Sequence, residues 1–143
     1  MKDQHHPGDP VASAVNVLTL FFRHLDERNY DGMADLLDGA WHRRGKVLDS
    51  RESLLAALAD RSPTMRIAHL LTNCCGTLRA DGGVDVLAYM LVVRHDDGTS
   101  PDGPAPLDGL AVIRTLRCTA RPGPDGWRIA YLKSDAALFE RQG

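Results

Sequence analysis

The 143-residue sequence predicts an α+β domain: three helices, then a four-strand antiparallel meander. Three observations carry that expectation. Apolar residues in the first half recur at helical spacing. The second half holds long runs of Val, Ile, Leu and Thr separated by short turn signals, and short connectors favour antiparallel neighbours. Hydrophobic residues make up 43% and charged residues 25%, a balance that allows one core of ordinary size.

Residues 1–9 are polar, with Gly and Pro, and read as a disordered tail ahead of one domain at 10–143. His5, His6 and Asp9 in that tail are read as solvated, because a loose segment offers a metal no fixed geometry. Pro10 suits the first turn of a helix reaching about Arg28, with Val11, Val15, Leu18, Phe22 and Leu25 on one stripe. A second, short helix spans about 30–38, with Gly39 as its stop and Asp38 as a turn or cap residue. AWHRRGKVLD follows as a short strand or irregular segment. Asp49 and Glu52 have capping-box spacing, which places a third helix at about 50–61, closed by Pro63. MRIAHLLTNCCGTLRA, VDVLAYMLVVRH, GLAVIRTLRCTAR and WRIAYLK are the four strands, and DAALFER is a helical turn or tail. A curved sheet around the long first helix would leave a cavity between the two.

Several function classes lose support at this stage. The net charge of −2 and the absence of a basic stripe give no nucleic-acid face. The first ten residues lack the apolar core of a signal peptide, and no apolar run approaches the roughly 20 residues that span a bilayer. Cys74, Cys75 and Cys118 are odd in number and strand-borne, as buried thiols in a reducing compartment would be. A cytoplasmic protein with no nucleic-acid or membrane partner is expected. GxGxxG, P-loop, HExxH, GxSxG and CxxC motifs are all missing, and no metal or cofactor is expected.

What remains is a set of polar groups in apolar surroundings. His69 lies near the start of the first long strand, and strict alternation puts Leu71, Asn73 and Cys75 on its face. It is either a core-edge histidine bonded to backbone or an acid–base group, and the second role needs a partner to orient the ring. Asp26 is the candidate partner: a carboxylate at a helix C-terminus opposes the helix dipole, and a nearby imidazolium would offset that cost. Asp26 paired with a surface cation is the alternative. Asn73 either places an amide in the cavity or satisfies backbone at a bulge. Trp41, Tyr89 and Trp127 read as core before ligand platforms. Arg114 and Arg117 fall on opposite faces of the third strand, so one of them could point inward at an anionic ligand, although long Arg side chains more often snorkel to solvent.

LDERNYDGMADLL, RIAHLLTN and DGWRIAYLKSD, with the order of elements, resemble the SnoaL-like branch of the NTF2-like superfamily over about residues 11–140. The resemblance implies a cone-shaped (cystatin-like) fold: a curved antiparallel sheet wraps a long helix and encloses an apolar pocket. Scytalone dehydratases and the β subunits of aromatic-ring hydroxylating dioxygenases are the nearest groups in that resemblance. Asp26 and His69 match the aspartate and catalytic histidine of the dehydratases. Their neighbouring tyrosine is Leu25 here, their second histidine is Met90, and their serine and asparagine are Ile113 and Thr115. Met90, Ile113 and Thr115 are thereby implied as substrate-binding positions, with Trp41 and Asn73 beside them, in a cavity suited to a small hydrophobic molecule.

Two functional expectations follow from the resemblance. One is a cofactor-free lyase or isomerase in which His69 moves a proton on a cyclic, aromatic or polyketide-type substrate and Asp26 fixes the ring. The other is a non-catalytic ligand-binding or assembly subunit in which the same pair is a latch. A homodimer is implied in either case.

Overall fold

The computed structural model describes Asp9–Gln142, so the expectations for the tail and for His5 and His6 lie outside the described residues. Asp9 is an exception. It is the N-cap of α1 (Pro10–Asp26), and its side chain accepts a hydrogen bond from the Ala12 N–H at 3.0 Å. The chain continues through α2 (Tyr30–Leu36), β1 (Leu37–Arg43), β2 (Lys46–Leu48), α3 (Arg51–Leu58), β3 (Arg66–Leu78), β4 (Val84–His95), β5 (Val112–Gly123) and β6 (Gly126–Glu140). The α+β class and the curved-sheet arrangement are as expected. The sheet has six strands in the order β2-β1-β6-β5-β4-β3.

Two strands beyond the expected meander come from the AWHRRGKVLD region. Gly39 does not stop a helix. It lies inside β1, which pairs parallel with β6. A Cβ there would sit 1.9 Å from the Ala130 carbonyl oxygen, so only glycine lets the two backbones approach. Asp38 is an exposed residue of β1. DAALFER is neither a helical turn nor a tail: β6 runs on to Glu140 because β5 offers ladder partners as far as Val112↔Glu140. The third helix begins one residue later than Asp49 and Glu52 imply. Ser50 is its N-cap and Ser53 closes a capping box, each hydroxyl accepting from the other's backbone N–H at 3.0–3.1 Å.

The core forms where α1 lies in the concave sheet. Ala14, Leu18 and Phe21 on α1 are fully buried against Leu116, Ile129 and Leu132. The buried stripe is broader than the expected one, because Ala14, Val17 and Phe21 join Leu18, Phe22 and Leu25. Phe21 meets Phe22 and Trp41 edge-on, with centroids 5.5 and 5.2 Å away. On β4, Val84, Val86, Ala88, Met90 and Val92 all face this core.

The C-terminal end of α1 sets the position of Asp26. The Asn29 N–H bonds the His24 carbonyl and the Arg28 N–H bonds the Leu25 carbonyl, which together form a Schellman motif. Its left-handed residue is Arg28, φ 60°, where glycine is the usual choice. The Arg28 guanidinium donates to the carbonyls of Ser62 and Met65 at 2.8 and 2.7 Å. The helix end is thereby tied to the segment entering β3, one turn from Asp26 and a few residues before His69. Among the described residues no helix is long and apolar enough to cross a membrane.

Candidate active site

His69 and Asp26 meet. Nδ1 of the imidazole lies 2.6 Å from Asp26 Oδ1, and the backbone N–H of His69 donates to Asp26 Oδ2 at 2.9 Å. One carboxylate therefore holds both the ring and the main chain of the same residue. The two side chains keep only 10% and 17% of their surface exposed. Phe22 covers one side of the ring, centroids 5.3 Å apart. An ionised Asp26 makes Nδ1 the protonated nitrogen and leaves the Nε2 lone pair facing away. Nε2 has no hydrogen-bond partner among the described residues, yet no fully buried side-chain polar atom among them lacks one. Nε2 is thus reachable from outside.

His69 borders a cavity of about 760 Å³ between the end of α1, β1 and the neighbouring strands of the curved sheet. That is within the usual size of a small-molecule site. Phe22, Leu25, Trp41, Met90, Val92 and Val112 supply its apolar surface, and His69 is on its wall. Asp26 stands behind the ring and does not line the space. Met90 and Trp41 thus lie where they were expected. Trp41 is only 4% exposed, so it is core on one side and cavity wall on the other.

Three expected site residues are placed elsewhere. Asn73 sits in a β-bulge, at φ 52°, and its side chain is exposed. Between Thr72 and Cys75 the strand advances three residues while β4 advances two, so facing inverts beyond the bulge. Cys74 and Gly76, not Asn73 and Cys75, continue the inner face, and Cys75 is exposed rather than buried. Asn73 Oδ1 accepts from the Thr72 hydroxyl at 3.0 Å, a local contact. Ile113 and Thr115 also miss the cavity. In the β4–β5 ladder Met90 pairs with Arg114, while Leu91 and Tyr89 pair with Ile113 and Thr115. Directly paired residues share a face, so an inward Met90 requires an inward Arg114 and an outward Ile113 and Thr115.

The cavity is less apolar than expected. Arg114 borders it, donating to the Asp135 backbone carbonyl at 3.4 Å. Arg43 stacks over the Trp41 ring, 5.4 Å from its centroid. Arg61 donates to the Leu25 carbonyl and the Tyr30 hydroxyl at 3.2 and 3.0 Å. Burial, then the charges of Arg44 and Arg61, push the Arg43 guanidinium below its ordinary value. The sequence marked Arg114 only as one of two arginines on opposite faces of its strand, and the register with Met90 decides that it is the inward one. Nothing in the local sequence marks Arg43 or Arg61, which reach the site from β1 and the segment after α3.

The fold defines the class: an NTF2-like (cystatin-like) cone, which here carries His69 on the wall of the helix–sheet cavity with Asp26 behind it. The SnoaL-like domain family matches residues 11–133, and the chain belongs to that family. Solved structures share the architecture. ActVI-ORFA from Streptomyces coelicolor is 19% identical, with a TM-score of 0.70, covering 87% of this chain and 94% of that one. A candidate dehydratase of the NTF2-like family from Streptomyces avermitilis is 17% identical, with a TM-score of 0.74 and coverage of 94% and 100%. An NTF2-like protein with a cystatin-like fold from Novosphingobium aromaticivorans is 18% identical, with a TM-score of 0.68 and coverage of 88% and 80%. Among curated proteins no sequence matches the chain.

Proposed function

We propose that this protein is a cofactor-independent lyase or isomerase that moves a proton on a small hydrophobic cyclic, aromatic or polyketide-type substrate. One observation carries the reading. Asp26 fixes His69 through Nδ1 at 2.6 Å, while Nε2 is unpartnered among the described residues on a ring that walls an open cavity. Nε2 would take a proton from carbon next to a carbonyl, and the resulting imidazolium would return it to the product or to a departing hydroxyl. Asp26 would hold the tautomer and stabilise the imidazolium without itself becoming protonated. The likeness to a candidate dehydratase agrees with this reading at the level of fold.

A second reading has its own support. Asp26 also accepts the His69 backbone N–H, which is what a latch between α1 and β3 would do in a non-catalytic ligand-binding or assembly subunit. One experiment separates the two. Cyclic ketones and β-hydroxyketones are incubated with the protein in deuterium oxide, and incorporation of deuterium or loss of water is followed by mass spectrometry. The catalytic reading expects turnover by the wild type and a loss of about 10²–10⁴-fold in His69→Gln. Turnover undiminished in a folded His69→Gln protein would sink the dyad mechanism. Cavity binding without turnover across the panel would favour the subunit reading.

A further inference from the structure

The charges around the cavity do not match those of the molecule as a whole. The chain carries 17 Lys and Arg against 19 Asp and Glu, a net charge of −2. Yet seven arginines and lysines border this one cavity, against two aspartates. One of those aspartates, Asp135, is already paired through its carboxylate with Arg117, at 3.0–3.1 Å. No described carboxylate lies within ion-pairing distance of Arg43, Arg61 or Arg114, although all three are half-buried. Elsewhere the molecule pairs its arginines freely: Arg79 with Asp81 and Asp85, Arg51 with Asp31 and Asp35, Arg121 with Asp81. Gathering like charges in a partly desolvated recess costs free energy, and an anion bound there would offset it.

We propose that the cavity takes a flat hydrophobic acid, with its ring body on the Phe22, Trp41 and Met90 surface and its carboxylate on the guanidinium groups of Arg43 and Arg114. The proposal rests on the same cavity as the proton-transfer reading and names its substrate class. A guanidinium presents paired donors in a plane that suits a carboxylate, and Arg43 lies over the Trp41 ring without spending its N–H groups on a protein acid. Arg61 is anchored by its two bonds to Leu25 and Tyr30 and adds positive potential beside the site. The acid group and the reacting carbon would then be held at opposite ends of one rigid molecule, with the carbon toward His69 Nε2.

The test is a binding measurement, separate from turnover. The full chain is titrated calorimetrically with 2-naphthoate and with the neutral, isosteric 2-naphthamide, for wild type, Arg43→Gln, Arg114→Gln, Arg43→Lys and His69→Gln. Naphthoate should bind at least about tenfold more tightly than the amide, and more weakly as salt rises. Arg43→Gln and Arg114→Gln should each weaken the acid by about tenfold and leave the amide unchanged, with Arg43→Lys recovering part of the loss. His69→Gln should keep the preference for the acid, which separates this proposal from the proton-transfer reading. Equal or tighter binding of the amide, no saturable binding of naphthoate, or an acid affinity unmoved in both glutamine variants would overturn it.

Discussion

At the residue scale, Asp26 does two things with one carboxylate, and they can be separated. Asp26→Asn keeps the shape but presents an amide NH₂ to one of its two partners. If the NH₂ faces the ring, Nδ1 becomes the acceptor and the proton moves to Nε2. We expect ¹⁵N NMR to show the Nδ1–H tautomer in the wild type and a shift toward Nε2–H in Asp26→Asn. The same variant should lose about 1–3 kcal/mol of stability from the impaired pair. An unchanged tautomer together with unchanged stability would contradict the assigned role of Asp26. The thiols make a second residue-scale prediction. Burial pushes the Cys118 thiol up to about 12, so it carries almost no thiolate at pH 8. Burial also raises Cys74. Exposed Cys75 should react first with a thiol reagent, and Cys118 should react only after denaturant is added. The chain marked Asp26 as a candidate partner for His69, because a carboxylate at a helix end needs a cation or a donor, while a surface cation stayed open as the alternative; the pair itself was implied by the resemblance. For Asn73 the cavity and a bulge were both open; strict alternation, which holds only while the ladder is unbroken, put it on the inner face, and the bulge that contains it ends that alternation.

At the element scale, the close approaches are the informative features. Gly39→Ala would drive a methyl group into the Ala130 carbonyl, a backbone atom that cannot rotate away. A loss of about 1–3 kcal/mol is expected, measured as a lower urea midpoint with an unchanged slope. Arg28→Ala would keep the positive φ and remove both bonds to the Ser62 and Met65 carbonyls. Helix α1 would then lose its tie to the entry of β3, and hydrogen exchange at residues 62–69 should quicken. Helix periodicity and turn residues made α1, α3 and the cores of β3–β6 readable in advance. Of β1 only a short strand or irregular segment was readable, because its partner β6 is remote in sequence and a parallel pairing leaves no hairpin signature. The cap of α3 shifted by one position for a local reason: Ser50 has the extended backbone that an N-cap needs, and its hydroxyl reaches Ser53.

At the scale of the whole molecule, the outer face of the sheet remains. Leu70, Leu87 and Tyr89 are exposed there, and Ile113 and Thr115 lie on the same face. We propose that this face pairs with a second copy of the chain, as the resemblance implied. Sedimentation should give a dimer for the wild type and a monomer for Leu87→Glu/Tyr89→Glu; a monomeric wild type would refute it. Acid should destabilise the protein through its turn carboxylates. The Gly83 N–H holds Asp81 below the ordinary carboxylate value of 3.8, and the hydroxyls of Ser62 and Thr99 do the same for Asp96 and Asp97. The native state therefore binds fewer protons than the unfolded chain near that value. This contribution is present above about pH 3.8 and is lost as pH falls through the lower folded values. Urea midpoints measured from pH 6 to pH 2 should fall mostly below pH 4, and substituting all three by Asn should flatten that fall.

The amino-acid order by itself determined the α+β class, the long apolar helix and the strand-rich second half, and it marked Asp26 as one candidate partner for His69. Each of these rests on local periodicity or on the chemistry of one side chain. Only the tertiary structure decided which residues share the cavity. That depends on a single-residue bulge in β3, on the register that sets Met90 opposite Arg114, and on the parallel pairing that brings β1 and Arg43 to the cavity. A slip of one residue exchanges the two faces of a strand. The wall of the site is therefore a property of the assembled sheet, and arginines dispersed in the chain border one cavity only once that sheet has formed around α1.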